Sequence, residues 1–362
     1  MTADARGLGP LLDRVPDVLR GASPYHVPVP PRMIAKLDAN ELPYALPPAL
    51  RAELGQALAE VALERYPDPA ARRLRALLAG QLGVADDQLV FGNGSDEVIA
   101  MLCAAFAAPR GVRPAAILYP VPSFVYYKIA AANRGIDAVE VPLTAAFELD
   151  EPAVLRAIEV DRPAVAFFAL PNNPTGTLWR QGFIPELAAR FRVTVIVADE
   201  AYLAYSGATS LPLLPAHPNL VIMRTLSKYG MAGLRVGYAV ASPAIAALVE
   251  KVRPPYNLGS LAQRAAEFLL DRAAGWCAAR TAEVVAERPV LAAALAARGF
   301  EVFPSQANLV LIRTTDATAL WRRLMDAGIS VRLFDAGPLA GCLRITVGTP
   351  AETQALLAAV DR

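Results

Sequence analysis

Hydrophobic positions along the chain fall into short, nearly continuous apolar runs, separated by stretches with a helical period. The runs cover residues 88–91, 115–119, 164–170, 193–198, 219–224 and 236–240. Runs such as AVAFFAL and VTVIVA lack polar alternation, so they predict strands that are buried on both faces. Because strands alternate with helices, the pattern predicts an α/β fold with a mostly parallel central sheet, helices on both faces and right-handed crossovers.

The two ends of the chain differ from this middle part. Residues 1–48 are rich in proline and predict an extended arm. Helices are predicted over residues 49–61 and 69–82, and a long Ala-rich helical region over 261–298 leads to short strands and a helix over 318–327. We therefore expect an N-terminal arm (1–48) that is part of a small domain, a large domain (49–258) and a C-terminal small α+β domain (259–362).

The composition narrows the class of ligand. Of 362 residues, 55% are hydrophobic and 19% charged, which allows a sizeable core. The formal net charge of +1 argues against nucleic acid or a membrane surface as a partner, so small molecules are expected. The first residues lack the apolar segment of a signal peptide, and no apolar run reaches the ~20 residues of a membrane helix.

Cysteine and lysine are both scarce. Cys103, Cys277 and Cys342 are far apart and form neither a CxxC pair nor a metal-ligand spacing. This pattern predicts a reducing, cytoplasmic location and no metal site. The chain has only four lysines among its 35 basic residues, so a lysine that forms a Schiff base has few candidates.

Four segments place polar residues and glycines at predicted strand ends, where open α/β sheets bind ligands. In FGNGSDEV, Gly94 and Ser95 lie at a strand-to-helix turn whose free N–H groups suit a phosphate. The alternative is a plain turn capped by Asp96, and Glu97 at the third glycine position excludes a dinucleotide fingerprint. In PNNPTG, a rigid turn presents Asn173 at a strand end, where it either donates to a phenolate-like oxygen or serves only the turn.

The other two segments carry the strongest chemistry. Asp199 ends an apolar strand, where an unpaired carboxylate is costly, so a cationic partner such as a protonated pyridine nitrogen is expected. The alternative is a helix cap or an ordinary salt bridge. Lys228 lies between two apolar strands, where desolvation would lower its pKa and make its amine a nucleophile towards carbonyls. Arg235 follows as a bidentate anion site. A solvated surface lysine is the alternative.

Taken together, these segments resemble the fold-type I pyridoxal-phosphate aminotransferases, class II branch. The match includes LDANELPYALP, RYPDP, GNGSDE, PNNPTG, DEAY, LSKYGMAGLRVGY and VRLFDAGPLAGCLRITVGT, so it spans roughly residues 36–349. Among these families, the chain is most similar to the histidinol-phosphate aminotransferases. The resemblance implies transamination between L-histidinol phosphate and 2-oxoglutarate, which gives imidazole acetol phosphate and L-glutamate, in histidine biosynthesis.

The resemblance also implies roles for individual residues toward pyridoxal 5'-phosphate. Lys228 would hold the cofactor as a Schiff base and shuttle a proton, and Asp199 would pair with the pyridine N–H. Tyr202 and Asn173 would bind the ring oxygen, and Phe124 would stack on the ring face. The cofactor phosphate would be held by Gly94, Ser95, Thr225 or Ser227, and Arg235.

Residues outside the cofactor set would bind the substrate and the second subunit. Tyr66 in RYPDP would reach the cofactor phosphate of a neighbouring subunit, which implies a homodimer with shared sites. Arg332 and Arg344 would grip the phosphate of the phosphorylated amine or the carboxylate of glutamate, although Arg332 also fits a surface strand position. Asn40 and Tyr25, on the arm, would approach the substrate.

Two other functions remain open at this point, and two further classes are disfavoured. An aromatic amino acid aminotransferase and a threonine-phosphate decarboxylase share the fold. A non-catalytic pyridoxal-phosphate module, such as the effector domain of a transcription regulator, would need a DNA-binding domain of roughly 60–70 residues before the arm. A nucleotide-binding α/β protein would need a phosphate-loop motif, which the sequence lacks.

Overall fold

The computed structural model describes residues 13–15, 28–107 and 115–362. The strands are β1 (Ala35–Lys36), β2 (Leu89–Asn93), β3 (Ala116–Val121), β4 (Asp137–Pro142), β5 (Val165–Ala169), β6 (Val195–Asp199), β7 (Leu220–Thr225), β8 (Val236–Ala241), β9 (Glu301–Val302), β10 (Leu309–Arg313), β11 (Ile329–Ser330), β12 (Arg332–Phe334) and β13 (Cys342–Thr346).

Helices connect and cover these strands. They are α1 (Pro48–Ala59), α2 (Arg72–Leu82), α3 (Gly94–Phe106), α4 (Tyr126–Ala132), α5 (Glu151–Asp161), α6 (Phe183–Arg190), α7 (Leu203–Ser206), α8 (Pro243–Glu250), α9 (Ser260–Arg272), α10 (Ala274–Ala296), α11 (Ala317–Asp326) and α12 (Pro350–Val360). Short 3₁₀ helices cover Asp86–Gln88, Leu211–Ala216, Ser227–Tyr229, Ala232–Leu234 and Gly337–Leu339. Among the described residues, none of the helices combines the length and the apolar character that a membrane crossing requires.

A seven-stranded sheet forms the centre of the molecule. Its strand order is β2-β8-β7-β6-β5-β3-β4. Neighbours from β7 through β4 are parallel, whereas β8 runs antiparallel to both β2 and β7. Strands β5 and β6 are buried at every position, as their unbroken apolar runs predict. The predicted α/β fold with a mostly parallel sheet is confirmed.

Three details of the predicted elements were wrong. The edge strand β4 was missed because its sequence, DAVEVP, is mostly exposed and has no apolar run. The helical region over 261–298 divides at Ala273, whose φ of −110° and ψ of 1° lie outside the helical range. Helix α2 starts at Arg72 instead of residue 69, since Ala71 takes a left-handed conformation.

A second, smaller sheet packs beside the large one. Its order is β12-β13-β10-β9, and all its neighbours are antiparallel. The C-terminal part of the proline-rich arm joins this region, because β1 pairs in parallel with β11. The backbone N–H of Thr346 also donates to the carbonyl of Leu37 (2.8 Å). Ala35 and Leu37 are buried in the same apolar cluster as β10 and β13.

Candidate active site

The carboxyl ends of β2, β5, β6 and β7 meet at one edge of the large sheet. Parallel strands bring their ends to a common edge, and β8 starts there because it runs in the opposite direction. The four motif segments identified in the sequence follow these strand ends or, for Arg235, directly precede β8.

Lys228 sits in a 3₁₀ turn, Ser227–Tyr229, directly after β7. Its Nζ donates to the carbonyl of Ala39 on the arm (3.0 Å) and lies 5.9 Å from the ring centre of Tyr202. Burial, followed by the positive charges of Arg344 and Arg235, lowers the pKa of the Lys228 amine to about 8. An appreciable fraction of the amine is therefore neutral near physiological pH and can attack a carbonyl carbon.

Asp199 is the last residue of β6, and only 4% of its surface is exposed. Its carboxylate accepts hydrogen bonds from the Tyr127 hydroxyl (2.6 Å) and from the backbone N–H of Ala201 (3.1 Å). Burial raises the pKa of Asp199 to about 6, and these two donors act in the opposite direction. Asp199 thus remains mostly ionised at pH 7 and can pair with a cationic ligand.

The hydrogen bond from Tyr127 was not expected from the sequence, which predicted a cationic partner for Asp199. Within the described residues, the side-chain donor to Asp199 is a neutral hydroxyl. Tyr127 lies three residues beyond Phe124 in the aromatic segment FVYY, and this closeness in the sequence was the available signal. Aromatic residues at that spacing are more often core residues, so the signal was weak.

A polar cluster on the other side of Lys228 can bind an anion. The Arg235 guanidinium donates to the Ser227 hydroxyl (3.2 Å) and forms an ion pair with Asp96 (3.1 Å). The Thr225 hydroxyl is 3.0 Å from that of Ser227. A guanidinium flanked by two hydroxyls offers several donors to a phosphate.

The N-terminus of α3 borders the same cluster. Gly94 has a φ of +76°, and a Cβ there would lie 2.5 Å from the Arg235 guanidinium, so glycine is required. At Gly237 on β8, a Cβ would lie 2.4 Å from the backbone nitrogen of Ser95. The absence of both side chains lets the first turn of α3 lie beside Arg235. The N–H of Gly94 donates to the Arg235 carbonyl there, and the N–H groups that follow it are at a helix N-terminus, which suits an anion.

The arm and the small sheet contact the residues at this sheet edge. The Asn40 side chain donates to the Tyr202 hydroxyl (2.8 Å), and its backbone N–H donates to Thr346 (2.9 Å). Arg344 donates to the side-chain oxygen of Asn173 (2.6 Å) and to the backbone carbonyl of Asp38. These contacts bring residues of the arm, β13 and the PNNPTG turn to one place.

Four further residues were predicted to bind the substrate or the cofactor: Arg332, Phe124, Tyr66 and Tyr25. Arg332 is the Cα partner of Arg344 in the β12–β13 pair, so both side chains leave the same face of the small sheet. Phe124 is partly buried, with its ring at 90° to that of Tyr127. Tyr66 is 81% exposed and stacks on Tyr256. Tyr25 lies outside the described residues.

Comparison with known proteins identifies the family. The model of the family described as "Aminotransferase class I and II" matches residues 32–360. A histidinol-phosphate aminotransferase from Paracidovorax citrulli is 42% identical over 98% of both chains, and one from Burkholderia lata is 45% identical over 90% of this chain and 91% of its own.

A solved structure agrees with this match at the level of the fold. The histidinol-phosphate aminotransferase from Sinorhizobium meliloti, in complex with pyridoxal-5'-phosphate, superposes with a TM-score of 0.84 and 24% identity, over 96% of both chains. The family match covers most of the sequence, and the two relatives exceed 40% identity along almost the full length. The chain belongs to the aminotransferase class I and II family.

Proposed function

We propose that this protein transfers an amino group from L-histidinol phosphate to 2-oxoglutarate, and back, with pyridoxal 5'-phosphate as cofactor. The observation that carries the reaction type is the half-buried Lys228 amine, at one sheet edge with the buried carboxylate of Asp199 and the polar cluster around Arg235. The choice of substrate is supported by the relatives named above, which are 42–45% identical to this chain.

The residues at the sheet edge fit each part of this cofactor. Close backbone approach at Gly237 leaves the α3 N-terminus and Arg235 for the phosphate, together with Ser95, Thr225 and Ser227. Asp199 provides a buried negative charge for the ring nitrogen. Asn173 and Tyr202 supply polar groups for the ring oxygen, and Phe124 supplies an aromatic face. When bound, the cofactor provides an electron-withdrawing ring that stabilises negative charge on the substrate Cα.

The proton transfer is assigned to Lys228. Its amine has a lowered pKa and is partly neutral, so it can take the proton from the substrate Cα and return it elsewhere on the same reacting system. The carbonyl of Ala39, which now accepts from Nζ, and the ring of Tyr202 restrict where this amine can move.

Substrate binding is assigned to the arginines of the small sheet. Arg344 and its cross-strand neighbour Arg332 provide two guanidiniums on one face, a geometry that suits a phosphate dianion or a carboxylate. The same pair would serve histidinol phosphate in one half-reaction and glutamate in the other. Asn40 holds the arm against Tyr202 beside this face, so it is assigned to the substrate side of the cleft.

Two wider expectations belong to this proposal. We infer a homodimer in which Tyr66 reaches the cofactor phosphate of the other subunit, and the 81% exposure of Tyr66 leaves it accessible to a partner. We also expect a cytoplasmic location, since Cys103, Cys277 and Cys342 are free and buried.

The proposal is tested by half-reactions followed in the visible spectrum. Purified protein is saturated with pyridoxal 5'-phosphate and mixed in turn with L-histidinol phosphate, phenylalanine and threonine phosphate. We expect histidinol phosphate to convert the cofactor fastest to its amino form, and 2-oxoglutarate to reverse the change. Faster conversion by phenylalanine would identify an aromatic aminotransferase, and release of CO₂ from threonine phosphate without amino transfer would identify a decarboxylase.

A further inference from the structure

Tyr127 connects two residues that the proposed function places against the cofactor. It lies in α4 behind the site, with no exposed surface, and its hydroxyl donates to Asp199 (2.6 Å). The edge of its ring meets the Phe124 ring, with the ring centres 5.8 Å apart and an interplanar angle of 90°. A single side chain therefore contacts both the carboxylate assigned to the ring nitrogen and the aromatic ring assigned to the cofactor face.

The position of Tyr127 is fixed by packing. Its ring stacks on Phe167 of β5, with 4.9 Å between the ring centres and an interplanar angle of 17°. Tyr119 of β3 packs against another side of the ring at 5.7 Å. Phe167 and Tyr119 lie on neighbouring strands of the sheet. Their contacts with the Tyr127 ring hold its hydroxyl at a fixed distance from Asp199, which lies at the end of β6. A rigid donor of this kind loses little entropy when it forms its hydrogen bond.

The other ionisable groups that act on Asp199 do not replace this hydrogen bond. The negative charges of Asp96 and Glu200 oppose ionisation of Asp199, as does its burial. The Tyr127 hydroxyl favours the ionised carboxylate, together with the backbone N–H of Ala201. Burial and the charge of Asp199 hold the pKa of Tyr127 well above its ordinary value, so Tyr127 stays protonated and remains a donor.

We propose that Tyr127 is a positioning residue of the reaction, acting through its hydrogen bond to Asp199 and its edge contact with Phe124. This inference rests on the proposed function, because it assumes that Asp199 pairs with the ring nitrogen of the cofactor. Tyr127 itself touches neither substrate nor cofactor. Its effect is to keep the carboxylate of Asp199 charged and pointed at the ring.

The test compares two Tyr→Phe variants from the same aromatic cluster. Tyr127→Phe removes the hydroxyl that donates to Asp199. Tyr119→Phe is the matched control: Tyr119 is also buried, but its hydroxyl donates to Glu140 (2.9 Å) instead. Both holoenzymes are assayed for kcat, KM, thermal midpoint and the dependence of kcat on pH, with histidinol phosphate and 2-oxoglutarate as substrates.

We expect Tyr127→Phe to lower kcat by about 10- to 100-fold, the range for loss of a hydrogen bond to a charged group, with KM changed less than about twofold. The acidic limb of its kcat profile should move to higher pH, because Asp199 loses a donor that favours ionisation. Tyr119→Phe should keep the wild-type kcat and profile. In an Asp199→Asn background, adding Tyr127→Phe should change single-turnover rates less than about twofold.

Each failure has a distinct meaning. If the wild-type holoenzyme transfers no amino group, the proposed function fails. If the wild type is active and the two Tyr→Phe variants behave alike, the role of Tyr127 is refuted. A Tyr127→Phe protein that unfolds, or loses thermal stability without a change in the pH profile, assigns Tyr127 to the core and likewise overturns the proposal.

Discussion

Burial shifts the pKa values of the two central ionisable side chains, Lys228 and Asp199, in opposite directions. It lowers the pKa of the Lys228 amine to about 8 and raises that of the Asp199 carboxyl to about 6. In both cases desolvation disfavours the charged form. Both pKa values therefore lie close to neutral pH. At that pH the Lys228 amine can exchange a proton with a substrate, and the Asp199 carboxylate still carries a charge for a cationic ring.

The pKa of Lys228 leads to a prediction about cofactor attachment. Only the neutral amine attacks the aldehyde of pyridoxal 5'-phosphate, so the rate of covalent capture by cofactor-free protein should rise as pH passes through about 8. Stopped-flow absorbance measures this rate, and borohydride trapping with peptide mass mapping should label Lys228. Lys228→Ala is the negative control, and borohydride should label no lysine in it. An inflection near 10.5, the ordinary lysine value, would contradict the buried amine.

For individual residues, the sequence predicted the site residues that lie at strand ends. It did not predict the residues that contact them, such as Tyr127. Lys228 and Asp199 stand out because a charged residue beside an apolar strand requires a reason. Tyr127 does not stand out, since its hydroxyl partner is 72 residues away in the chain. The bond from Arg344 to Asn173 was equally inaccessible, because it spans two sheets.

The antiparallel strand β8 is the element that assembles the polar cluster around Arg235. It enters the sheet between β2 and β7, so its first residues arrive beside the α3 N-terminus. Arg235, just before β8, accepts the backbone N–H of Gly94 at its own carbonyl (2.7 Å). An apolar run predicts a strand but does not give its direction, so this placement could not be derived from the pattern of β8 alone.

A side chain on β8 should disturb the cluster. In Gly237→Ala, the new Cβ would lie 2.4 Å from the nitrogen of Ser95, which must displace the α3 N-terminus. We expect cofactor affinity to fall about tenfold or more, as phosphate contacts are lost. Fluorescence titration should show that pyridoxal, which lacks the phosphate, loses much less affinity.

The matched control is Gly259→Ala. Gly259 also has an extended backbone, with φ of −65° and ψ of 153°, but a Cβ there meets no atom within 4 Å. Its cofactor affinity should equal that of the wild type. Equal losses for pyridoxal and its phosphate in Gly237→Ala would mean that the α3 N-terminus does not bind the phosphate.

At the scale of the whole molecule, the site lies between two sheets, and a separate segment exposes large side chains. Leu63 is 72% exposed and Tyr66 81%, in the segment between α1 and α2. Large exposed apolar side chains close together are typical of an interaction surface. They support the proposed homodimer, in which this segment would complete the site of the other subunit.

Introducing a charge into this segment should separate the subunits. We expect Leu63→Glu to sediment as a monomer in analytical ultracentrifugation and to bind pyridoxal 5'-phosphate more weakly, because Tyr66 of a partner no longer reaches the phosphate. The control is Val193→Glu, at a residue that is 93% exposed and lies before β6, at the end opposite Asp199. It should remain dimeric. A dimeric Leu63→Glu protein with unchanged affinity would contradict this surface.

The pairing of β1 with β11 has a consequence for how the chain is made. Most of the protein is translated between Ala35 and its partner Ile329, whereas the strands of the large sheet have all been translated by Ala241. Loop closure over such a separation comes late in folding. Ala35 and Leu37 therefore stay exposed on the nascent polypeptide until Ile329 has been translated. If a ribosome stalls before codon 329, this apolar stretch remains exposed and chaperones must shield it.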